Sequence, residues 1–256
     1  MLNDGKWAIL ARDVKASYGR SEILRGISFS AGEGEFWGII GPNASGKTTL
    51  LRCFAGTLRP LSGKVLLGGK PRESLKSREF ASHCSLLLDE MIPGPMGVMD
   101  YALLARSLLK PAFSPLTSQD KERAETALRA VELWDVRDSR LEELSQGQLL
   151  MARIARVIAQ DAPVLLLDEP TAHLDPKHAF RVMGLLARMA KEGRTILAVL
   201  HDLSLAARYT DHILVIKDGV AAAQGLTGEV LTPELIREVF GVQARRRDGG
   251  LELYPD

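Results

Sequence analysis

Three groups of residues in this 256-residue chain have types and spacing suited to phosphoryl chemistry. The first is Gly41-Pro42-Asn43-Ala44-Ser45-Gly46-Lys47-Thr48, followed by Thr49, which fits G-x-x-x-x-G-K-[ST] at every fixed position. Glycines let the backbone curl, so that successive N–H groups point inward at phosphate oxygens. A helix that follows adds its positive N-terminal end to the same anion. Lys47 can then reach β- and γ-phosphates, and the Thr48 hydroxyl can ligate Mg2+. The bland alternative is a glycine turn with a surface lysine. An apolar strand before the motif and a helix after it weigh against that reading.

The second group is Asp168-Glu169, directly after the apolar run 164–167. Ligands of open α/β sheets sit beyond the carboxyl ends of strands. There Asp168 can hold Mg2+ through water, and Glu169 can orient the attacking water and accept its proton. Taken alone, an Asp-Glu pair is more often a polar strand exit that caps the next helix. Beside a phosphate loop that reading gives way. The third group is His201, which follows the strand-like run 196–200 and can hydrogen-bond a γ-phosphate or the attacking water.

These groups need a scaffold that brings strand ends together. Phe36-Trp-Gly-Ile-Ile40 reads as a compact strand running into Gly41, and 48–57 as a helix with Gly56 near its end. The region before them reads as short strands joined by turns. Residues 91–144 change character. Ala124, Ala127, Leu128, Val131 and Trp134 share one helical face, Thr117 or Ser118 can cap that helix, and Pro93, Pro95, Pro111 and Pro115 break the stretch before it into loops. Beyond it, 164–167 and 196–200 read as buried strands and 179–191 as a helix, which argues for a mainly parallel sheet. Lys217-Asp218-Gly219 between 213–216 and 220–223 is a hairpin signal. Residues 233–240 read as a short helix, and 251–254 as a last strand after Asp248-Gly249-Gly250.

Composition sets outer limits. Hydrophobic residues at 46% and charged residues at 25% suit a packed globular chain, and a net charge of +1 gives no global pull towards nucleic acid or anionic lipid. Arg245-Arg246-Arg247 is too short a run to signal an interaction tail and reads as a solvated edge. The start of the chain does not read as a signal peptide, and the apolar runs are too short to span a bilayer, so a membrane role requires partners. Cys53 and Cys84 lack metal spacing and read as reduced thiols.

Leu144-Ser145-Gln146-Gly147-Gln148 opens a helix about twenty residues before the acidic strand, and Ser145 can cap it. With that motif in place the chain resembles the ATP-binding cassette family over nearly its whole length. Gly41 to Thr48 resembles Walker A, Leu144 to Gln148 the signature, and Val164 to Glu169 Walker B. Ala172-His-Leu-Asp175 resembles the D-loop, His201 the switch histidine, and Tyr18 the aromatic that stacks on adenine. The resemblance implies an α/β P-loop NTPase core, an N-terminal antiparallel β subdomain and an inserted helical subdomain, all within one cassette domain spanning 1–256. The core comprises 1–90 and 145–256, with the insertion at 91–144. It also implies ATP and Mg2+ as cofactors and a head-to-tail homodimer. Each ATP would lie between Walker A of one copy and Ser145, Gly147, Gln148 and Asp175 of the other.

The sequence departs from the family pattern at three places. Gln146 stands where the signature usually has glycine, and Ala44 replaces a common Walker A glycine. The Q-loop glutamine would fall near Leu88, but the chain reads Leu86-Leu87-Leu88-Asp89-Glu90, leaving Asp89 as the substitute after a one-residue slip. Within the family the closest look is to the ATPases of iron-siderophore, haem and cobalamin importers, from Phe113-Ser-Pro-Leu-Thr-Ser-Gln-Asp120 and the ending that starts at Leu231-Thr-Pro. That resemblance implies a peripheral place on the cytoplasmic face of the cell membrane. Integral permease subunits would dock near residues 87–99, and an extracytoplasmic binding protein would act indirectly.

Other classes fit less well. A chromosome-maintenance ATPase needs a long coiled coil, for which no heptad run exists. A translation-associated ATPase needs two cassettes. GTPases read guanine with Asn-Lys-x-Asp, which is absent, and neither they nor small-molecule kinases account for Leu144 to Gln148. Another metal-ion importer, an exporter, and a weakly hydrolysing regulatory cassette remain alternatives within the family.

Overall fold

The computed structural model describes residues 7–88, 95–111, 113–247 and 250–255. Asp89, Glu90, Met91 and Pro93, and Asp248 and Gly249, where the sequence suggests a turn, lie outside the described residues.

The chain opens with two long antiparallel strands, β1 (Ile9–Tyr18) and β2 (Ser21–Ala31), then β3 (Phe36–Ile40), α1 (Lys47–Ala55), β4 (Ser62–Leu67), β5 (Lys70–Pro71), α2 (Ser77–His83) and β6 (Cys84–Leu87). Next come α3 (Val98–Ser107), α4 (Ser118–Ala130) and α5 (Gln146–Gln160). The second half runs β7 (Val164–Asp168), α6 (Pro176–Lys191), β8 (Thr195–Val199), α7 (Leu203–Tyr209), β9 (His212–Lys217), β10 (Val220–Leu226), α8 (Thr227–Val230), α9 (Pro233–Phe240), β11 (Val242–Arg247) and β12 (Gly250–Pro255).

The strands form a six-stranded sheet in the order β10-β9-β3-β8-β7-β6, a four-stranded sheet β2-β1-β4-β5, and the pair β11-β12. Neighbours from β9 through β6 run parallel, and only β10 is antiparallel to its neighbour. This is the mainly parallel core that the strand pattern argues for, with the antiparallel N-terminal sheet that the family resemblance implies. A strand alternates its side chains between two faces. In β3, Phe36 and Ile40 join the core shared with α3 to α6, whereas Trp37 and Ile39 join the core shared with the N-terminal sheet and α1. Both faces of the parallel sheet are therefore covered, as its continuous apolar strands require. Phe29 anchors the second core, edge-on to Trp37 at 4.8 Å and 5.8 Å from Phe54. Truncating such a buried ring costs about 3–5 kcal/mol.

Several sequence-based boundaries shift. The first two strands span 10 and 11 residues and are not short. Irregular register near Asp13, whose φ is 46°, breaks their alternation and hides their length. The helix expected at 48–57 starts at Lys47 and stops at Ala55, because Gly56 takes a left-handed C-cap with φ 73°. α6 starts at Pro176, not at Ala179: Asp175 caps it and the proline occupies the first turn, where its missing N–H costs nothing. Asp218 and Gly219, both at positive φ, turn β9 into β10 as the hairpin signal requires.

The helical region between β6 and α5 is held by one buried carboxylate. Thr117 and Asp120 form a capping box at the start of α4. Asp120, only 2% exposed, also pairs with Lys110 and accepts from Arg106 Nε at 3.1 Å. Arg106 Nη1 reaches the carbonyls of Ala159 and Gln160, so α3, α4 and the end of α5 meet at one guanidinium. Gln160 Nε2 in turn donates to Ala81 and Cys84 at 2.6 and 2.8 Å, pinning α5 to β6. Cys53 and Cys84 are free and buried.

Candidate active site

Strands β3, β8 and β7 are neighbours in one parallel sheet, so their carboxyl ends lie side by side. Gly41 follows β3, His201 follows β8, Asp168 ends β7, and Glu169 follows it. The three groups singled out in the sequence therefore meet at one sheet edge, and the strand order is the reason.

The loop after β3 is tightly constrained. Gly41 has φ 151°, and a Cβ there would lie 2.0 Å from the Ile216 carbonyl oxygen, so only glycine fits. Gly46, at φ 107°, caps the start of α1. Ala44 also takes a positive φ, 60°, which favours glycine and explains why the family commonly has one there. Pro42 is partly buried, and Asn43 and Ala44 are exposed. Ser45 is buried, and its Oγ has no hydrogen-bond partner among the described residues. A buried orphan hydroxyl beside a glycine loop is chemically suited to an anion's oxygen. Lys47 and Thr49 are each 6% exposed. Lys47 Nζ donates to the carbonyls of Gly41 and Pro42 at 2.9 and 2.8 Å, which keeps the ammonium inside the loop. Burial lowers the Lys47 pKa, and Glu169 and Asp168 work against that shift.

The metal-suited pair is also in contact. Thr48 Oγ1 donates to Asp168 Oδ1 at 3.2 Å. A hydroxyl and a carboxylate are the hard oxygen donors that Mg2+ prefers, with phosphate and water completing its shell. Burial raises the Asp168 pKa; the Thr48 hydrogen bond opposes this, the charge of Glu169 adds to it, and Arg52 and Lys47 oppose it. Glu169 is exposed and strained at φ 52°, and its Oε1 lies 2.7 Å from His201 Nε2. Strain of this kind concentrates at functional sites.

A cleft of about 580 Å3 opens beside this constellation, with Thr48, Asp168 and Glu169 along one wall. One face of α5, carrying Gln146, Leu149, Leu150 and Arg153, forms another wall. Leu88 lines the cleft as well, and at 8% exposure its side chain packs into the core and offers no donor or acceptor. Arg52 and Arg153 were not among the residues singled out by sequence. The signal for Arg52 is its place one helical turn after Thr48, and for Arg153 its place two turns after Gln146.

Ser145, Gly147 and Gln148 do not line that cleft. They border a second one of about 400 Å3, together with His173, Asp175 and His178. Ser145 and Gln148 form a capping box: Gln148 N donates to Ser145 Oγ at 3.2 Å, and Ser145 N donates to Gln148 Oε1 at 3.0 Å. The box accounts for those two N–H groups, and the first-turn N–H groups of Gln146 and Gly147 have no acceptor within the helix. Asp175 accepts from His178 N at 3.0 Å as the cap of α6, and its other oxygen lies 2.7 Å from His178 Nδ1. Tyr18, at the end of β1, is 44% exposed and accepts from Arg52 Nη1 at 3.0 Å.

A P-loop after a central parallel strand, with acidic and histidine residues at the ends of the neighbouring strands, defines a nucleotide-hydrolysing cassette. The model of the ABC transporter family matches residues 24–172. The chain is 35% identical over 228 residues to the ferric enterobactin transport ATP-binding protein FepC of Escherichia coli, covering 88% of this chain and 84% of that protein. It is 36% identical over 244 residues to the probable siderophore transport system ATP-binding protein YusV of Bacillus subtilis, covering 94% and 88%. Among solved structures it resembles the dimeric post-hydrolysis state of the ATP-binding cassette MJ0796 bound to ADP and Pi. The TM-score there is 0.77 and the identity 25%, over 86% of this chain and 98% of that one. The chain belongs to the ABC transporter family, as an ATP-binding, ATP-hydrolysing subunit. No helix among its described residues is long and apolar enough to cross a membrane.

Proposed function

We propose that the chain powers an importer of an iron chelate (siderophore), haem or cobalamin, with a ferric siderophore as the first candidate cargo. The relatives named for ferric enterobactin and siderophore transport, matched over most of their length, support that choice. The site roles rest mainly on one observation: Lys47, Thr48, Asp168, Glu169 and His201 gather at the ends of three adjacent strands.

In this reading Tyr18 stacks on the adenine, and Gly41, Pro42, Asn43, Ala44, Ser45, Gly46 and Thr49 shape the phosphate cradle. Lys47 neutralises the β- and γ-phosphates. Thr48 and Asp168 hold Mg2+, which supplies charge neutralisation when bound. Glu169 orients the attacking water and takes its proton, and His201 holds the Glu169 carboxylate in place and faces the γ-phosphate. Within one chain Ser145, Gly147, Gln148 and Asp175 border a different cleft from the one that Thr48, Asp168 and Glu169 line. Ser145, Gly147, Gln148 and Asp175 therefore act on the nucleotide of a second copy, in a head-to-tail dimer. The dimeric MJ0796 cassette supports this arrangement. ATP favours the closed pair and hydrolysis releases it.

The domain is a single cassette, with 91–144 inserted into a core made of 1–90 and 145–256. It sits on the cytoplasmic face of the membrane. There it meets integral permease subunits at the groove around residues 87–99, part of which lies outside the described residues. An extracytoplasmic binding protein delivers cargo to those permeases.

Uptake tests the cargo. Cells lacking the gene are given labelled ferric siderophore, haem and cobalamin, after complementation with wild type or Glu169→Gln. Loss of one cargo, restored by wild type alone, is the expected result. Normal entry of all three, in a strain with no second uptake system, contradicts the chelate assignment.

A further inference from the structure

Tyr18 closes β1, and Gly19, at φ 60°, turns the chain into β2. A half-exposed tyrosine at the mouth of a hairpin ordinarily samples several rotamers. Here the ring is tethered, since Arg52 Nη1 donates to its hydroxyl at 3.0 Å. The tether has a firm base. The Arg52 carbonyl accepts from the N–H groups of Thr57 and Leu58 at 3.0 and 3.2 Å, which closes the end of α1.

One turn earlier on the same helix, Thr48 bonds Asp168, and Thr48 and Arg52 line the same cleft. A single face of α1 thus presents a hydroxyl to the carboxylate and a guanidinium to the aromatic.

We propose that Arg52 is a positioning residue for nucleotide binding, holding the Tyr18 ring in the orientation that stacks on a purine base. The proposal rests on the reading of Tyr18 as the base-stacking aromatic. Arg52 contributes by removing ring entropy before the base arrives, and the gain is the ordering cost of one side chain. Its effect belongs to binding and is shared with the Tyr18 hydroxyl.

A double-mutant cycle on the full chain tests this, with steady-state ATPase kinetics and equilibrium ATP binding as readouts. Arg52→Met and Tyr18→Phe should each raise the ATP KM and Kd by about 3- to 10-fold. The double variant should be no worse than either single, and the loss should fall more on KM than on kcat. Arg52→Lys, which keeps a donor, should recover part of the affinity. Additive effects, or unchanged KM and Kd in both single variants, overturn the proposal if Tyr18→Ala still weakens ATP binding. If Tyr18→Ala leaves affinity unchanged, the stacking role of Tyr18 fails and the Arg52 role fails with it.

Discussion

His201 Nε2 lies 2.7 Å from Glu169 Oε1, and the two residues leave adjacent parallel strands, β8 and β7. The contact holds a strained, exposed carboxylate, the one assigned to the attacking water in the proposed mechanism. Removing the imidazole leaves Glu169 unguided while the phosphate loop stays intact. His201→Ala should lower kcat by about 100-fold. ATP affinity should change far less, as measured by equilibrium binding. A wild-type rate in His201→Ala would remove His201 from the mechanism.

Asp168 gives a prediction in which stability and function oppose each other. Burial raises its pKa, against the hydrogen bond from Thr48. The ionised carboxylate is thus less favourable in the folded chain than in the unfolded one. Its presence costs stability above the ordinary carboxylate pKa, increasingly until the raised folded value is passed. Asp168→Asn should therefore raise Tm at neutral pH without nucleotide. It should also abolish the part of ATP stabilisation that depends on Mg2+. Thermal denaturation with ATP, with and without Mg2+, reads both effects. A lowered Tm in the nucleotide-free variant would contradict the electrostatic argument.

Asp120 runs the other way. Burial pushes its pKa up, but hydrogen bonds from Lys110, Thr117 and Arg106 outweigh burial and hold it well below the usual carboxylate range. A depressed folded pKa gives stability that is complete above the unfolded value and is lost as pH falls through the folded one. Asp120→Asn should cost roughly 2–4 kcal/mol at pH 7, because it strips charge from a buried ion pair and weakens a helix cap. The gap from wild type should narrow progressively as pH drops below about 4. A gap that stays constant between pH 7 and pH 2 in denaturant titrations would rule out the ionic origin.

Local chemistry was the legible part of this molecule. The glycines of the phosphate loop, the caps at Thr117 and Ser145 and the Asp218-Gly219 hairpin each follow from a few neighbouring residues, and each is found. Long-range pairing was much less legible. The Glu169–His201 contact depends on β7 and β8 being neighbours, and the Tyr18–Arg52 bond on how the N-terminal sheet packs against α1. Neither follows from spacing along the chain. Where local reading failed, a second rule had intervened. Pro176 acts as a helix starter behind the Asp175 cap, and the irregular backbone at Asp13 interrupts the period of β1. The Leu88 departure is visible in both sequence and structure, since the side chain at that position is buried and apolar.

In the proposed cycle ATP joins two copies, and Glu169 is needed to part them. Glu169→Gln keeps the shape of the side chain and removes its capacity as a base. The direct measurement is sedimentation velocity of purified Glu169→Gln protein at saturating MgATP, beside the same protein without nucleotide and beside Lys47→Ala. A dimer is expected only for Glu169→Gln with MgATP, and monomers in the other samples. Glu169→Gln protein that binds ATP and remains monomeric would contradict the cycle.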